Sequence, residues 1–228
     1  MGKTITIAID GPAGAGKSTL ARRLASRLGF LYIDTGAMYR AVALWARRAG
    51  VSWDDAHRLE QLARESRIEL APEGKVLLNG EDISDDIRDP EISEGASRVS
   101  AIPGVRRALV EKQQQMGRDS SVVMEGRDIG TVVFPNAEVK IYLDATPEER
   151  TRRRLKDLAA RGAPADFDQV LAEIQRRDLR DSTRADSPLC QAPDAIYLDS
   201  TGMNEDEVEQ ALLKIVRDRT SNGKEVTS

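Results

Sequence analysis

Apolar residues change their spacing repeatedly along this chain, and the changes predict its elements. Thr4 to Asp10 reads as a short buried strand. From Lys17 the spacing turns helical, with Leu20, Leu24 and Leu28 four apart. Phe30 to Ile33 reads as a second strand, Ala37 to Ala49 as a helix stopped by Gly50, and Asp54 to Ser66 as an amphipathic helix. Between Arg67 and Ser84 short apolar runs are broken by Pro72-Glu73-Gly74 and Asn79-Gly80, a pattern of small antiparallel hairpins inserted into a strand–helix alternation. Helices then start at Pro90 and at Pro103, ending at about Ser100 and Met116. Ser121–Met124 and Val139–Leu143 are strands, Pro147–Arg161 and Phe167–Ser182 charged helices, Ala195–Leu198 a last strand and Glu205–Arg219 a last helix. The polar tail from Ser221 is expected to fray. Five short apolar strands separated by helices imply an α/β fold, a five-stranded parallel sheet covered by helices on both faces. Ligands bind at the carboxyl ends of such strands, which here collect Gly11–Ser18, Asp34-Thr35, Glu125–Asp128, Asp144 and Asp199.

The first of these strand ends carries the most explicit chemistry. Gly11, Pro12, Ala13, Gly14, Ala15, Gly16, Lys17 and Ser18 spell G-x-x-x-x-G-K-S between strand and helix, and Thr19 follows. Glycines let backbone N–H groups turn inward around a polyphosphate. The helix N-terminus adds free N–H groups and a positive dipole end. Lys17 can reach the β- and γ-phosphates and the Ser18 hydroxyl can bind Mg²⁺. This P-loop suits a GTPase, a motor, a transporter ATPase or a small-molecule kinase. The N-K-x-D base reader of a GTPase is absent, and Asp199–Gly202, which fits D-x-x-G, comes too late for a switch segment.

Composition narrows the choice. Hydrophobic residues make up 40 % and charged residues 32 %, and no apolar run nears membrane-span length, so no membrane partner is expected. A strand entered by Thr4 leaves no room for a signal peptide, and Cys190, the single cysteine, permits no internal disulfide. Both suit a reducing cytoplasm. The net charge of −4 disfavours nonspecific nucleic-acid binding. Arginines nevertheless cluster at 150, 152, 153 and 154 and again at 176, 177, 180 and 184, which suits a small anionic ligand. Arg177, Asp181 and Arg184 follow i, i+4, i+7, one helix face that can hold a phosphate and a sugar hydroxyl or simply form a surface salt bridge. His57, Trp45 and Trp53 read as surface and packing residues.

Four blocks together resemble one family. Gly11–Ser18, Asp34-Thr35-Gly36-Ala37-Met38-Tyr39-Arg40, Glu125–Pro135 and Arg177–Pro188 look like the bacterial cytidylate kinases, over nearly the whole chain. The resemblance implies a P-loop kinase fold with a core (about 1–36, 102–147 and 188–220), a nucleoside-monophosphate lobe enlarged by an insert (about 37–101) and a lid with its following helix (about 148–187). It implies ATP and CMP or dCMP as substrates, Mg²⁺ as cofactor and a monomer without nucleic-acid partners. By the family pattern Thr35, Arg40, Ser97, Arg106, Arg127, Asp128, Arg177, Asp181 and Arg184 line the monophosphate site. Arg40, Arg127 and Arg184 suit the acceptor phosphate, because guanidinium forks match phosphate oxygens. Asp128 can accept from the cytosine amino group, with Ser97 and Arg106 completing the base edge and Asp181 on a ribose hydroxyl. Arg150 and Arg154 resemble the adenylate-kinase pair in which one arginine stacks on adenine and the next meets ATP phosphates. Lys17, Arg127, Arg154 and Arg184 are thus the expected catalytic cations, and Glu125 either holds a water on Mg²⁺ or is a structural turn residue. Kinases of UMP, AMP or shikimate, and a nucleotide-dependent interaction module, are the alternatives.

Overall fold

The computed structural model describes residues 4–71, 74–160 and 162–221. The expected turn at Pro72-Glu73, the expected helix end at Arg161 and the tail from 222 lie outside them. The strands are β1 (Thr6–Asp10), β2 (Leu31–Asp34), β3 (Ile68–Ala71), β4 (Lys75–Leu78), β5 (Glu81–Asp82), β6 (Val122–Gly126), β7 (Val139–Asp144) and β8 (Ile196–Asp199). The helices are α1 (Lys17–Leu28), α2 (Thr35–Arg48), α3 (Ala56–Glu65), α4 (Pro90–Val99), α5 (Pro103–Met116), α6 (Pro147–Ala160), α7 (Phe167–Thr183) and α8 (Glu205–Ser221). The chain divides into two compact units, 1–32 with 119–228, and 33–118.

In the first unit a five-stranded parallel sheet runs β2-β6-β1-β7-β8, as the strand–helix alternation predicts. β1 pairs with β6 on one side, Ile9 opposite Glu125, and with β7 on the other, Ile9 opposite Ile141. Alternate residues Ile7 and Ile9 of β1, Val123 of β6 and Val139, Ile141 and Leu143 of β7 meet Leu20, Leu24 of α1 and Val208, Leu212, Val216 of α8. Each such fully buried aliphatic side chain is worth roughly 1.5–3 kcal/mol. The intervening residues Ala8, Val122 and Met124 are also fully buried, so both sheet faces are covered. The connections diverge to either side of β1, and its carboxyl end is the topological switch point where α/β sheets place their ligands.

The second unit is built from α2–α5 and an antiparallel β3-β4-β5 sheet, the inserted hairpins of the sequence. Asn79 and Gly80 both take positive φ, as a two-residue hairpin loop requires. Its own core joins Met38, Val42 and Leu44 of α2 to Leu59, Leu62, Ile92, Val99 and Leu109. Trp53 packs as expected: its indole N–H donates to the Ala43 carbonyl at 3.1 Å and Arg98 lies over its ring. α5, expected with the core, packs on α3 and α2 within this unit. α2 also starts two residues earlier than its apolar spacing predicts, at Thr35. The Asp34 carboxylate accepts the Ala37 N–H at 2.9 Å and caps the helix, so polar Thr35-Gly36 become its first turn.

Candidate active site

At the end of β1 the chain must turn within van der Waals contact of β7. Gly11 does this at φ 149°, where a Cβ would lie 2.0 Å from the Leu143 carbonyl oxygen, so no larger residue fits. The P-loop then closes on α1, whose first turn holds no acidic residue and whose Gly16 N-cap offers no side chain. The N–H groups there are left for an anion. Lys17 is buried beneath the loop and its ammonium donates to the Pro12 carbonyl at 2.7 Å. Burial first, and Arg127 second, push this ammonium down to about 7. Ser18 and Thr19, by contrast, are exposed at the helix start.

The loop's outer side is held by α6. Arg150 donates to the Ala13 carbonyl at 2.9 Å and to the Ala145 carbonyl at 2.9 Å, and pairs with Asp178 at 2.7 Å. Arg153 donates to the Ala15 carbonyl at 3.3 Å, the Ser200 hydroxyl at 3.0 Å and the Ser200 carbonyl at 2.7 Å. The Arg150 side chain, expected to stack on adenine, is only 5 % exposed, and its guanidinium is committed to backbone and carboxylate. Arg154 is half-exposed and, among the described residues, makes no hydrogen bond or ion pair.

Five more predicted residues gather in the same unit. The Arg127 Nε donates to Asp181 at 2.9 Å, and Arg177 stands 4.0 Å from the same oxygen. Burial pushes the Asp181 carboxyl up, but Arg127 and Arg177 outweigh it and hold it below the ordinary range. Arg184 donates to the Ser187 carbonyl and lies 3.9 Å from Asp128, both side chains being nearly buried. The single-face reading of Arg177, Asp181 and Arg184 needs correction. α7 ends at Thr183 and Arg184 is its extended C-cap, at ψ 143°, so Arg184 reaches Asp128 from the loop rather than from the helix face.

The other predicted residues belong to the second unit. Thr35 is buried in the first turn of α2. Arg40 pairs with Asp34 at 3.0 Å, and Gly36 leaves space for it, since a Cβ there would lie 3.1 Å from its guanidinium. Ser97 is buried on α4. Arg106, 2 % exposed on α5, donates to the Ser100 carbonyl at 3.1 Å and lies over the Tyr39 ring.

The family model "Cytidylate kinase" matches residues 7–218. The chain belongs to the cytidylate kinase family. A curated cytidylate kinase of Solibacter usitatus is 62 % identical over 98 % of this chain and 97 % of its own length. Another, from Syntrophotalea carbinolica, is 53 % identical over 96 % and 94 %. An uncharacterised protein of Eubacterium ventriosum shares the fold alone, at TM-score 0.51 and 12 % identity over 92 % of this chain and 97 % of its own.

Two polar residues of the sheet strands, Asp10 and Tyr32, are not singled out by sequence spacing. Asp10 accepts the N–H groups of Ile129 and Gly130, each at 2.8 Å, and so ties β1 to the π-helical turn that follows Asp128. Burial raises the Asp10 carboxyl to about 6, against the pull of these two bonds. Its only sequence signal is a charged residue closing an apolar strand. Tyr32 donates to the buried Glu125 carboxylate at 2.7 Å. Among the described residues no cluster of three acidic, histidine or cysteine side chains can cage a metal. An exposed Ser18 hydroxyl and an oriented Glu125 suit Mg²⁺, which keeps several waters and takes its other ligands from substrate phosphates.

Proposed function

We propose that this cytidylate kinase transfers the ATP γ-phosphoryl group directly and in line to a phosphate oxygen of CMP or dCMP, with no phosphoenzyme. Phosphorylation of CMP by ATP is the reaction of the family; the direct route, the deoxy substrate and the residue roles are our reading. One observation carries it. Lys17 lies buried beneath the P-loop with its ammonium on the Pro12 carbonyl at 2.7 Å, and Arg127, Arg177 and Arg184 gather with their carboxylate partners in the same unit. Such cations, resting in the free protein on carboxylates such as Asp181, are arranged for phosphate groups that bring four or more negative charges. Phosphoryl transfer needs little else, because positioning and charge stabilisation supply nearly all of the catalysis.

On the donor side, the P-loop N–H groups from Gly11 to Thr19 hold the ATP phosphates and Lys17 bridges the β- and γ-phosphates. Ser18, with Glu125 through a water, would hold Mg²⁺, which supplies charge neutralisation at the β- and γ-oxygens when bound. On the acceptor side, Arg40, Arg127 and Arg184 take the CMP phosphate and Arg177 completes their charge. Asp181, fixed by Arg127, takes a ribose hydroxyl. Asp128 accepts from the cytosine amino group, and Thr35, Ser97 and Arg106 complete the monophosphate and base contacts. Arg154, without a partner among the described residues, is the lid cation that meets the transferring group. We further propose that the protein works as a cytoplasmic monomer and binds no nucleic acid. A coupled assay with CMP, dCMP, UMP, AMP and shikimate tests the reading. CMP and dCMP should give the highest kcat/KM, and a clear preference for any of the other three would overturn it.

A further inference from the structure

Helix α7 carries two carboxylates one turn apart, and each holds an arginine that serves a different part of the site. Asp181 holds Arg127, and Asp178 holds Arg150 at 2.7 Å. Asp178 makes no other side-chain hydrogen bond among the described residues: its Oδ1 is buried and unpaired. Arg150, in turn, spends its guanidinium on the Ala13 carbonyl of the P-loop and the Ala145 carbonyl that opens α6. The other carboxylate near it, Asp144, stands 3.9 Å away, beyond hydrogen-bond reach.

A loop that turns its N–H groups toward an anion must turn alternate carbonyls away. Those carbonyls are then buried against the protein and need donors of their own. Arg150 is the donor for Ala13 and Arg153 the donor for Ala15. A buried guanidinium is tolerated only with a counter-charge, and for Arg150 that charge is Asp178.

We propose that Asp178 is a positioning residue of the donor site: it fixes Arg150, and through Arg150 the outward turn of the Ala13 carbonyl that leaves the P-loop N–H groups facing a nucleoside triphosphate. This rests on the reading of the P-loop as the ATP cradle. It makes α7 a shared beam, with Asp178 serving the donor loop and Asp181, three residues on, serving the acceptor arginine.

Calorimetric titration of the whole protein with a non-hydrolysable ATP analogue, and separately with CMP, tests the proposal. Asp178→Asn should weaken the ATP analogue about tenfold while CMP affinity stays within about twofold, since a displaced loop loses aligned N–H groups but leaves Asp181 in place. Asp178→Glu should recover most of the loss. Asp178→Asn combined with Arg150→Lys should be no weaker than the weaker single variant, as expected for two residues acting as one unit. An ATP-analogue affinity within about twofold of wild type overturns the proposal, and so does an equal loss for both ligands, which would make the pair a support of the fold. If Asp178→Asn loses its cooperative unfolding transition, Arg150→Lys decides by the same two titrations. Lys17→Ala is titrated alongside. Undiminished ATP-analogue binding there would remove the P-loop reading itself, whereas loss there with none in Asp178→Asn removes only the positioning role.

Discussion

The donor loop and the acceptor cluster sit in the same unit, yet they are made of different material. The donor loop is mostly backbone: in the proposed reading its N–H groups are the binding groups, and side chains matter where they are absent, as at Gly11, or where they brace from behind, as at Arg150 and Arg153. The acceptor cluster is side chains throughout, with Arg127, Arg177 and Asp181 in one ion network and Arg184 beside Asp128. A backbone site is set by the path of the chain and recognises charge and shape. A side-chain site holds specific donors and acceptors and can tell one base from another. Substitutions in the two should therefore fail differently, the first in turnover with acceptor binding intact, the second in acceptor binding and selectivity.

The largest effect is expected at Lys17, the donor-side cation buried beneath the loop. Lys17→Ala should cut kcat by about 10³-fold, the scale of a lost transition-state charge contact, with CMP affinity unchanged by calorimetry. A near wild-type rate would break the comparison at its donor end. Arg184→Ala should raise the KM for CMP and lower kcat together, a loss of about 2–4 kcal/mol in kcat/KM for a desolvated charge contact. An effect within about twofold would return Arg184 to a purely structural bond with Ser187.

Asp128→Asn tests selectivity rather than strength. The amide presents N–H to the uracil carbonyl, so the CMP-over-UMP ratio of kcat/KM should narrow by about 1–3 kcal/mol at saturating ATP. An equal fall for both substrates would mean that Asp128 acts by orienting Arg184, 3.9 Å away, and reads no base.

The smallest effect is a proton. Burial and Arg127 depress Lys17 to about 7 in the free protein, so its charged fraction should fall as pH rises from 6 to 8. Bound phosphates favour the charged form and draw the pKa back up, so ATP binding takes up a proton whose fraction grows across this window. ATP affinity should accordingly fall as pH rises from 6 to 8, by at most about tenfold per pH unit. Calorimetry in buffers of different ionisation enthalpy measures the uptake, and its difference from Lys17→Ala removes the contribution of ATP itself. No difference between the two proteins would mean that Lys17 stays charged throughout.

Much of this protein is determined by sequence alone, because the informative features are local. The apolar spacing marks the parallel strands, the Asn79-Gly80 hairpin and nearly every helix. G-x-x-x-x-G-K-S specifies its own strand–loop–helix path, so the donor loop is legible without any distant contact. The blocks around Asp34–Arg40 and Glu125–Pro135 carry the resemblance, and the family model matches residues 7–218. Tertiary structure alone decides which partners each charge meets. Arg150 and Arg154 stand one turn apart on α6, yet one is buried on Ala13 and Asp178 and the other has no partner among the described residues. Arg153, between them and unremarked by its spacing, reaches the loop. Arg184 leaves the helix face that its i+7 position predicts, because α7 ends one residue before it. Asp10 closes an apolar strand with a charge whose purpose appears only when Ile129 and Gly130, more than a hundred residues away, bring their N–H groups to it. Periodicity places a side chain on a face. The energy of a buried charge depends on groups within a few ångströms, and these come from anywhere in the chain.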